Sequence, residues 1–186
     1  MNSKSDILVI NLDRTTKYIF HTVAEATNKL RSILNEYEEH GFSLTRSEKL
    51  LCTSDPRKNY HNIYTGISHA LDRSRDRSRH IFACYYCVRM PKDETETLSS
   101  YTRDLLKLCQ SDMEYAEPRT FYVVNSKTGI GIEFLSADEI SQFFGVSIIE
   151  VYSKLLGFCG PLAINQFTIE YLIEDDAESD SEKAFV

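Results

Sequence analysis

Two groups of residues in this chain have the type and spacing to do chemistry. The first is Cys84-Tyr85-Tyr86-Cys87, a C-x-x-C of the kind that holds zinc or exchanges disulfides. The second is Asp72-Arg73-Ser74-Arg75-Asp76-Arg77-Ser78-Arg79-His80, with Arg57, Lys58, Tyr60, His61 and Tyr64 upstream of it. Arginines beside aromatic rings supply what phosphate contact and base stacking require. The cysteine pair carries the weaker case. Its surroundings, Ile81-Phe82-Ala83-Cys84-Tyr85-Tyr86-Cys87-Val88, read as a buried strand. Residues three apart on a strand point to opposite faces. No second C-x-x-C or C-x-x-H completes four ligands, so the two cysteines read as small core residues. For the arginine run, the competing reading is a solvated loop in which Asp72 and Asp76 neutralise part of the charge.

Catalysis finds little support. His21, His61, His69 and His80 have no motif partner, and Gly129-Ile130-Gly131 reads as a hairpin turn rather than a phosphate cradle. Glu36, Glu38 and Glu39 close a helix and read as solvated, whereas a nuclease needs clustered carboxylates or histidines at metal spacing. The expectation is therefore a non-enzyme with no catalytic residue, no metal and no cofactor. The residues expected to contact nucleic acid are Arg57, Lys58, Tyr60, Arg73, Arg75, Arg77, Arg79, His80 and, from the second half of the chain, Lys154.

Charge is unevenly spread. The 186 residues carry a net −7, yet residues 40–92 hold ten Lys/Arg against four Asp/Glu, a net of +6, which leaves −13 on the remainder. The acidic extreme is Glu174-Asp175-Asp176-Ala177-Glu178-Ser179-Asp180-Ser181-Glu182, expected to form a short disordered tail. Hydrophobic residues at 42% and charged residues at 26% are ordinary for a globular chain able to bury a core. Five irregularly spaced cysteines suit a reducing compartment. The opening apolar run, Ile7-Leu8-Val9-Ile10, is too short for a signal peptide, and none is long enough for a membrane span. The expected location is the cytoplasm, that of the host if the chain is phage-encoded.

The elements that must position these residues read as one unit used twice. Shifted by 114 positions, Ile7–Asn11 falls on Phe121–Asn125, Tyr18–Phe20 on Ile132–Phe134 and Thr22–Glu25 on Ser136–Glu139, with Val9, Asn11, Phe20 and Glu25 meeting identical residues. In each copy a β-rich run ends at Asn, which favours a turn. A second strand follows, then Thr or Ser with Glu three residues on, the capping box of a helix start. Apolar spacing predicts helices over 23–39, 62–71, 97–115, 137–144 and 148–156, and strands over 80–90 and 166–173. Asp55-Pro56-Arg57-Lys58-Asn59 reads as a turn. The fold class is α+β: two strand-strand-helix-helix-strand units joined by a connecting helix. The divisions are 1–92 (a first module with a basic insertion), 93–117 (the connecting helix), 118–173 (the second module) and 174–186 (the acidic tail).

Ser136 to Leu155, with Gly145 in the turn, Val146 after it and Ser147 at the second cap, resembles a helix-turn-helix. With its preceding hairpin, it is similar to the small modular DNA-binding repeats of phage and intron-encoded homing endonucleases. The residues Asn62-Ile63-Tyr64 through Arg79-His80-Ile81-Phe82 resemble the basic loop and last strand of such a repeat. That resemblance implies a bacteriophage-type accessory protein that binds nucleic acid, DNA ahead of RNA, and regulates or assists replication or transcription. Two departures stand out. The presumed recognition helix offers outward only Glu150, Ser153, Lys154 and Tyr152, where base-reading helices carry Arg, Asn or Gln. The first copy is also longer than one module. The second copy is therefore expected to be structural or dimerising, with binding moved to the basic stretch. The alternative is an acidic inhibitor that imitates a phosphate backbone and disables a host protein such as a polymerase or defence nuclease. No membrane partner is expected, and an oligomer is admitted.

Overall fold

A computed structural model describes residues 5–72, 80–92, 97–110, 115–158 and 164–173. Seven strands and six helices are present among them: β1 (Ile7–Asn11), β2 (Thr16–Phe20), α1 (Val23–Glu39), α2 (Arg46–Leu51), α3 (Pro56–Asp72), β3 (Ile81–Phe82), β4 (Tyr85–Arg89), α4 (Ser100–Leu108), β5 (Phe121–Asn125), β6 (Gly131–Phe134), α5 (Ala137–Phe144), α6 (Ile148–Leu155) and β7 (Phe167–Tyr171). The class is α+β, with two antiparallel sheets ordered β2-β1-β4-β3 and β6-β5-β7. In each sheet the first strand of a hairpin lies between its hairpin partner and a strand that returns after the helices.

The two hairpins follow the same local rules. Ile7 pairs with Phe20 in one and Phe121 with Phe134 in the other, so the register coincides at the 114-residue offset. The side chain of Asn11 accepts the N–H groups of Asp13 and Arg14 at 3.0 and 3.2 Å, and Asn125 accepts that of Lys127 at 2.9 Å. Both are Asx turns, in which a short carboxamide holds the chain reversal. The last turn residue is left-handed in each: Thr15 at φ 50° and Gly129 at φ 71°. The helix starts also agree. Thr22 and Ser136 accept the N–H groups of Glu25 and Glu139, whose carboxylates reach back to the backbone N–H groups of His21 and Leu135.

After that point the units diverge. The first inserts α2, held by a capping box between Thr45 and Glu48. It then makes α3 a full 17 residues long. The segment expected to be a turn at residues 55–59 is instead the start of that helix. Asp55 accepts the N–H groups of Arg57 and Lys58 at 3.0 and 3.4 Å, and Pro56 takes the first helical position, where its missing N–H costs nothing. The single strand expected at 80–90 is broken into β3 and β4 by a turn at Ala83-Cys84, where Ala83 sits at φ 49°. The connecting helix is shorter than 97–115, ending at Leu108.

The β1–β2 turn is the unusual part of the architecture. Leu12, Asp13, Arg14 and Thr15 are all buried, whereas the residues of the matching turn Ser126–Gly129 are all exposed. The second unit supplies the cover. Tyr171 donates its hydroxyl to the Leu12 carbonyl at 2.7 Å, the Arg119 backbone N–H donates to the Asp13 carbonyl at 2.8 Å, and Arg119 Nε donates to the Thr15 hydroxyl at 2.8 Å. Tyr152 donates its hydroxyl to the Asp13 carboxylate. One continuous set of buried apolar residues runs through both sheets. Among the described residues, no helix is long and apolar enough to cross a membrane.

Candidate nucleic-acid interface

α3 divides its surface by helical period. Ile63, Ile67, Ala70 and Leu71 are buried, and the helix packs on α1 and β4. Gly66 lets the ring of Phe82 lie against the helix; a Cβ there would meet ring carbons at 2.3 Å. The opposite face holds two neighbouring rows, Arg57-His61-Tyr64-Ser68 and Lys58-Asn62-Thr65-His69, each following the i, i+4, i+7, i+11 progression of one stripe. Arg57, Lys58, His61, Asn62, Tyr64 and His69 are exposed. Pro56 to Leu71 contains no carboxylate at all.

The first turn of α3 differs in charge from those of its neighbours. Acidic residues occupy the first turns of α1, α2, α5 and α6, where the helix dipole favours them. In α3 the carboxylate stands one residue earlier, Asp55 accepting the N–H groups of Arg57 and Lys58, and the first turn itself carries those two cations. Asp55 meets the positive end of the helix, and the side chains of Arg57 and Lys58 stand exposed beside it. Beside them, the rings of Tyr60 and Tyr64 are stacked with centroids 5.9 Å apart and planes 21° from parallel. The guanidinium of Arg31, on α1, lies over Tyr60 at 5.7 Å.

Of the residues expected at the interface, the structure therefore brings Arg57, Lys58 and Tyr60 onto one helix, together with His61 and Tyr64. Arg73, Arg75, Arg77 and Arg79 lie outside the described residues. His80 is half-buried, its Nδ1 2.8 Å from the Ala70 carbonyl and its ring edge-on to Tyr86, an arrangement that closes the C-terminal end of α3. Lys154 is half-buried on α6, 3.5 Å from the Asn165 carbonyl.

α6 is turned inward. Tyr152 and Ser153, expected to offer outside contact, are buried because the joint between the units occupies that side of the helix. Glu150 is engaged in a capping box with Ser147. The helix-turn-helix-like pair α5–α6 is closed by Gly145 in the left-handed conformation, as the sequence pattern requires, and its second helix buries Val151, Tyr152 and Ser153.

Comparison with family models, curated proteins and solved structures finds no match.

The cysteine pair has no metal-site geometry: among the described residues no group of three His, Cys, Asp or Glu is placed to hold an ion. Cys84 and Cys87 are both fully buried, and burial pushes both thiols up, Cys87 to about 12. These are unreactive core groups.

The sequence reading missed a buried polar cluster at the β1–β2 turn. Arg14 grips Glu48 through two bonds, Nε to Oε1 at 2.6 Å and Nη2 to Oε2 at 2.8 Å, and donates to the carbonyls of Ala116 at 2.6 Å and Ser43 at 2.8 Å. Its guanidinium also lies 4.2 Å from the centroid of the Tyr37 ring. Glu48 further accepts from Asn11 Nδ2 at 3.0 Å and the Thr45 N–H at 2.9 Å. Burial works to lower the Arg14 pKa, but the bonded Glu48 carboxylate outweighs it and holds the group above its ordinary range. Asp13 moves the other way for a carboxylate. Burial raises its pKa against the bonds from Tyr152 and Thr45, and the nearby Glu48 charge adds to the rise while Arg14 opposes it. The one signal in the sequence was Thr45-x-x-Glu48, itself a capping box. Arg14, Thr15, Glu48 and Tyr152 have no solvent exposure, so no substrate reaches them in the closed fold. Their chemistry is structural.

Proposed function

We propose that this chain binds nucleic acid through the outer face of α3, as an accessory protein of bacteriophage type that regulates or assists replication or transcription. The observation that carries the reading is the outer face of α3, which exposes Arg57, Lys58, His61 and Tyr64 on a helix with no carboxylate from Pro56 to Leu71. The arginine run at 73–79 follows α3 directly in sequence. The agreement of hairpin register, Asx turn and helix cap at the 114-residue offset supports descent of the two units from one duplicated module, with the second turned to covering the first.

Phosphate contact releases counterions, so binding should fall steeply with salt. Fluorescence anisotropy with labelled duplex and single-stranded DNA and RNA at low salt is the test. Arg57→Gln with Lys58→Gln should weaken binding and reduce the log–log salt slope by about two. Lys154→Gln should change neither. Absence of binding to every probe sinks the proposal.

One observation favours the alternative of a protein that disables a host factor. The second unit exposes Ile130, Ile132, Leu135 and Phe143, apolar side chains more suited to a protein partner than to phosphate. Pull-down from host lysate separates the two. Recovery of nucleic acid without a stoichiometric host protein counts against the inhibitor.

A further inference from the structure

We infer that α3 takes single-stranded rather than duplex nucleic acid, an unpaired base extending the Arg31–Tyr60–Tyr64 stack on the exposed ring of Tyr64. This deepens the proposed function and rests on it. The stack begins inside the fold: Arg31 projects from α1, and its guanidinium lies over a half-buried Tyr60. Tyr60 in turn stacks on Tyr64, which keeps 40% of its surface exposed. Tyr60 is thus held between elements by a cation from α1, and its neighbour Tyr64 is the more exposed ring. An aromatic face held in this way is a platform for any base, because every base has a π-face. In a duplex both faces of each base are taken by its neighbours, so only an unpaired or splayed base can continue the stack.

The charged residues sit where such a strand would need them. Arg57 and His61 lie along the same helical row as Tyr64, and Lys58, Asn62 and His69 lie on the adjoining row. A base on Tyr64 would therefore have cations and hydrogen-bonding groups beside it for its own phosphates. The element that could have read a duplex, α6, faces inward. The competing explanation is that Tyr60 and Tyr64 are an i, i+4 pair that merely steadies the helix, worth a few tenths of a kcal/mol. That explanation assigns no role to the ring's π-face in binding.

The experiment uses the full chain with fluorescein-labelled oligo(dT) and oligo(U) of about 20 nucleotides and a mixed-sequence duplex of equal length, at low salt. Single strands should bind about tenfold or more tightly than duplex. Tyr64→Leu should weaken single-strand binding by about ten- to a hundredfold, the range for losing one base–aromatic stack, and leave duplex binding within about twofold. Tyr64→Phe should retain binding, which separates the π-face from the hydroxyl. Melting curves of both variants show that the fold is kept. Equal or tighter binding to duplex overturns the inference. So does a Tyr64→Leu loss that is the same for both probes, or a Tyr64→Phe loss as large as that of Tyr64→Leu. If duplex alone binds and Arg57→Gln weakens it, the proposed function stands and this inference falls. If no probe binds, both fall.

Discussion

Arg14 has lost all contact with water, yet four of its five N–H groups have partners, two on one carboxylate and two on carbonyls. A buried charge is tolerable only when satisfied in this way, and removing one member of such a pair costs about 3–5 kcal/mol because the other is left uncompensated. Arg14→Met should therefore lower stability by about that amount in urea denaturation. Arg14→Met combined with Glu48→Met should lose clearly less than the two single changes added together, and a simply additive cycle would show that the pair does not couple. Asp13 is a different case, since its folded-state pKa lies above the unfolded value. The folded state then holds the proton more tightly, so stability falls as pH rises from the ordinary carboxylate range through the folded pKa and is flat beyond it. Asp13→Asn cannot titrate and keeps an oxygen for Tyr152. The variant should gain on the wild type as pH is raised across that window. Parallel curves of unfolding free energy against pH would refute the assignment. Thr15 carries the remaining local cost. It is a β-branched residue at φ 50°, where the second hairpin uses Gly129, and it is held there by Arg119.

Among the elements, α3 depends on a single missing side chain. Gly66→Ala would gain helix propensity of up to about 1 kcal/mol, but its Cβ would lie 2.3 Å from the Phe82 ring. Overpacking of this kind costs about 1–3 kcal/mol, so the change should lower the melting temperature. Adding Phe82→Ala should recover part of the loss relative to Phe82→Ala alone, and a thermal melt that rises with Gly66→Ala would show the ring is free to move aside. The elements also differ in how much of themselves the sequence displays. α1 and α5 have a cap, a long or regular apolar stripe and a stop, and both were expected at the bounds observed. α2, with six residues, is too short to show a period, and only its Thr45–Glu48 box marks it. The start of α3 was misread because Asp-Pro suits both a turn and a helix entry, and what decides is whether Asp55 can turn back onto two N–H groups. The candidate interface was half legible. Arg57, Lys58 and Tyr60 stand out by type, but the stack with Tyr64 needs the helix, and Arg31 comes from another element altogether. The inward face of α6 was not legible, since its partner is a turn 139 residues away from Tyr152.

At the scale of the whole molecule, the two sheets are joined through buried polar groups as well as through apolar packing. Tyr152, Tyr171 and Arg119 satisfy their hydrogen bonds on the β1–β2 turn, and Arg14 satisfies one of its own on Ala116. Separating the units would break these bonds and expose the apolar residues packed between the sheets. The full chain should therefore unfold in one cooperative transition, with near- and far-ultraviolet dichroism superimposable. Residues 118–173 expressed alone should show no cooperative melt, because Tyr152 and Tyr171 would lose their acceptors and the apolar surface that covers the turn. Two resolved transitions, or a folded isolated unit, would contradict this. The buried turn also sets an order on the making of the protein. A ribosome makes the first hairpin well before its cover, and Glu48 follows soon enough to meet Arg14, but the groups that cover Leu12, Asp13 and Thr15 lie between Arg119 and Tyr171. Until Tyr171 has cleared the exit tunnel, the nascent polypeptide carries an open polar seam at the β1–β2 turn, so a residue of β7 completes a turn made 159 residues earlier.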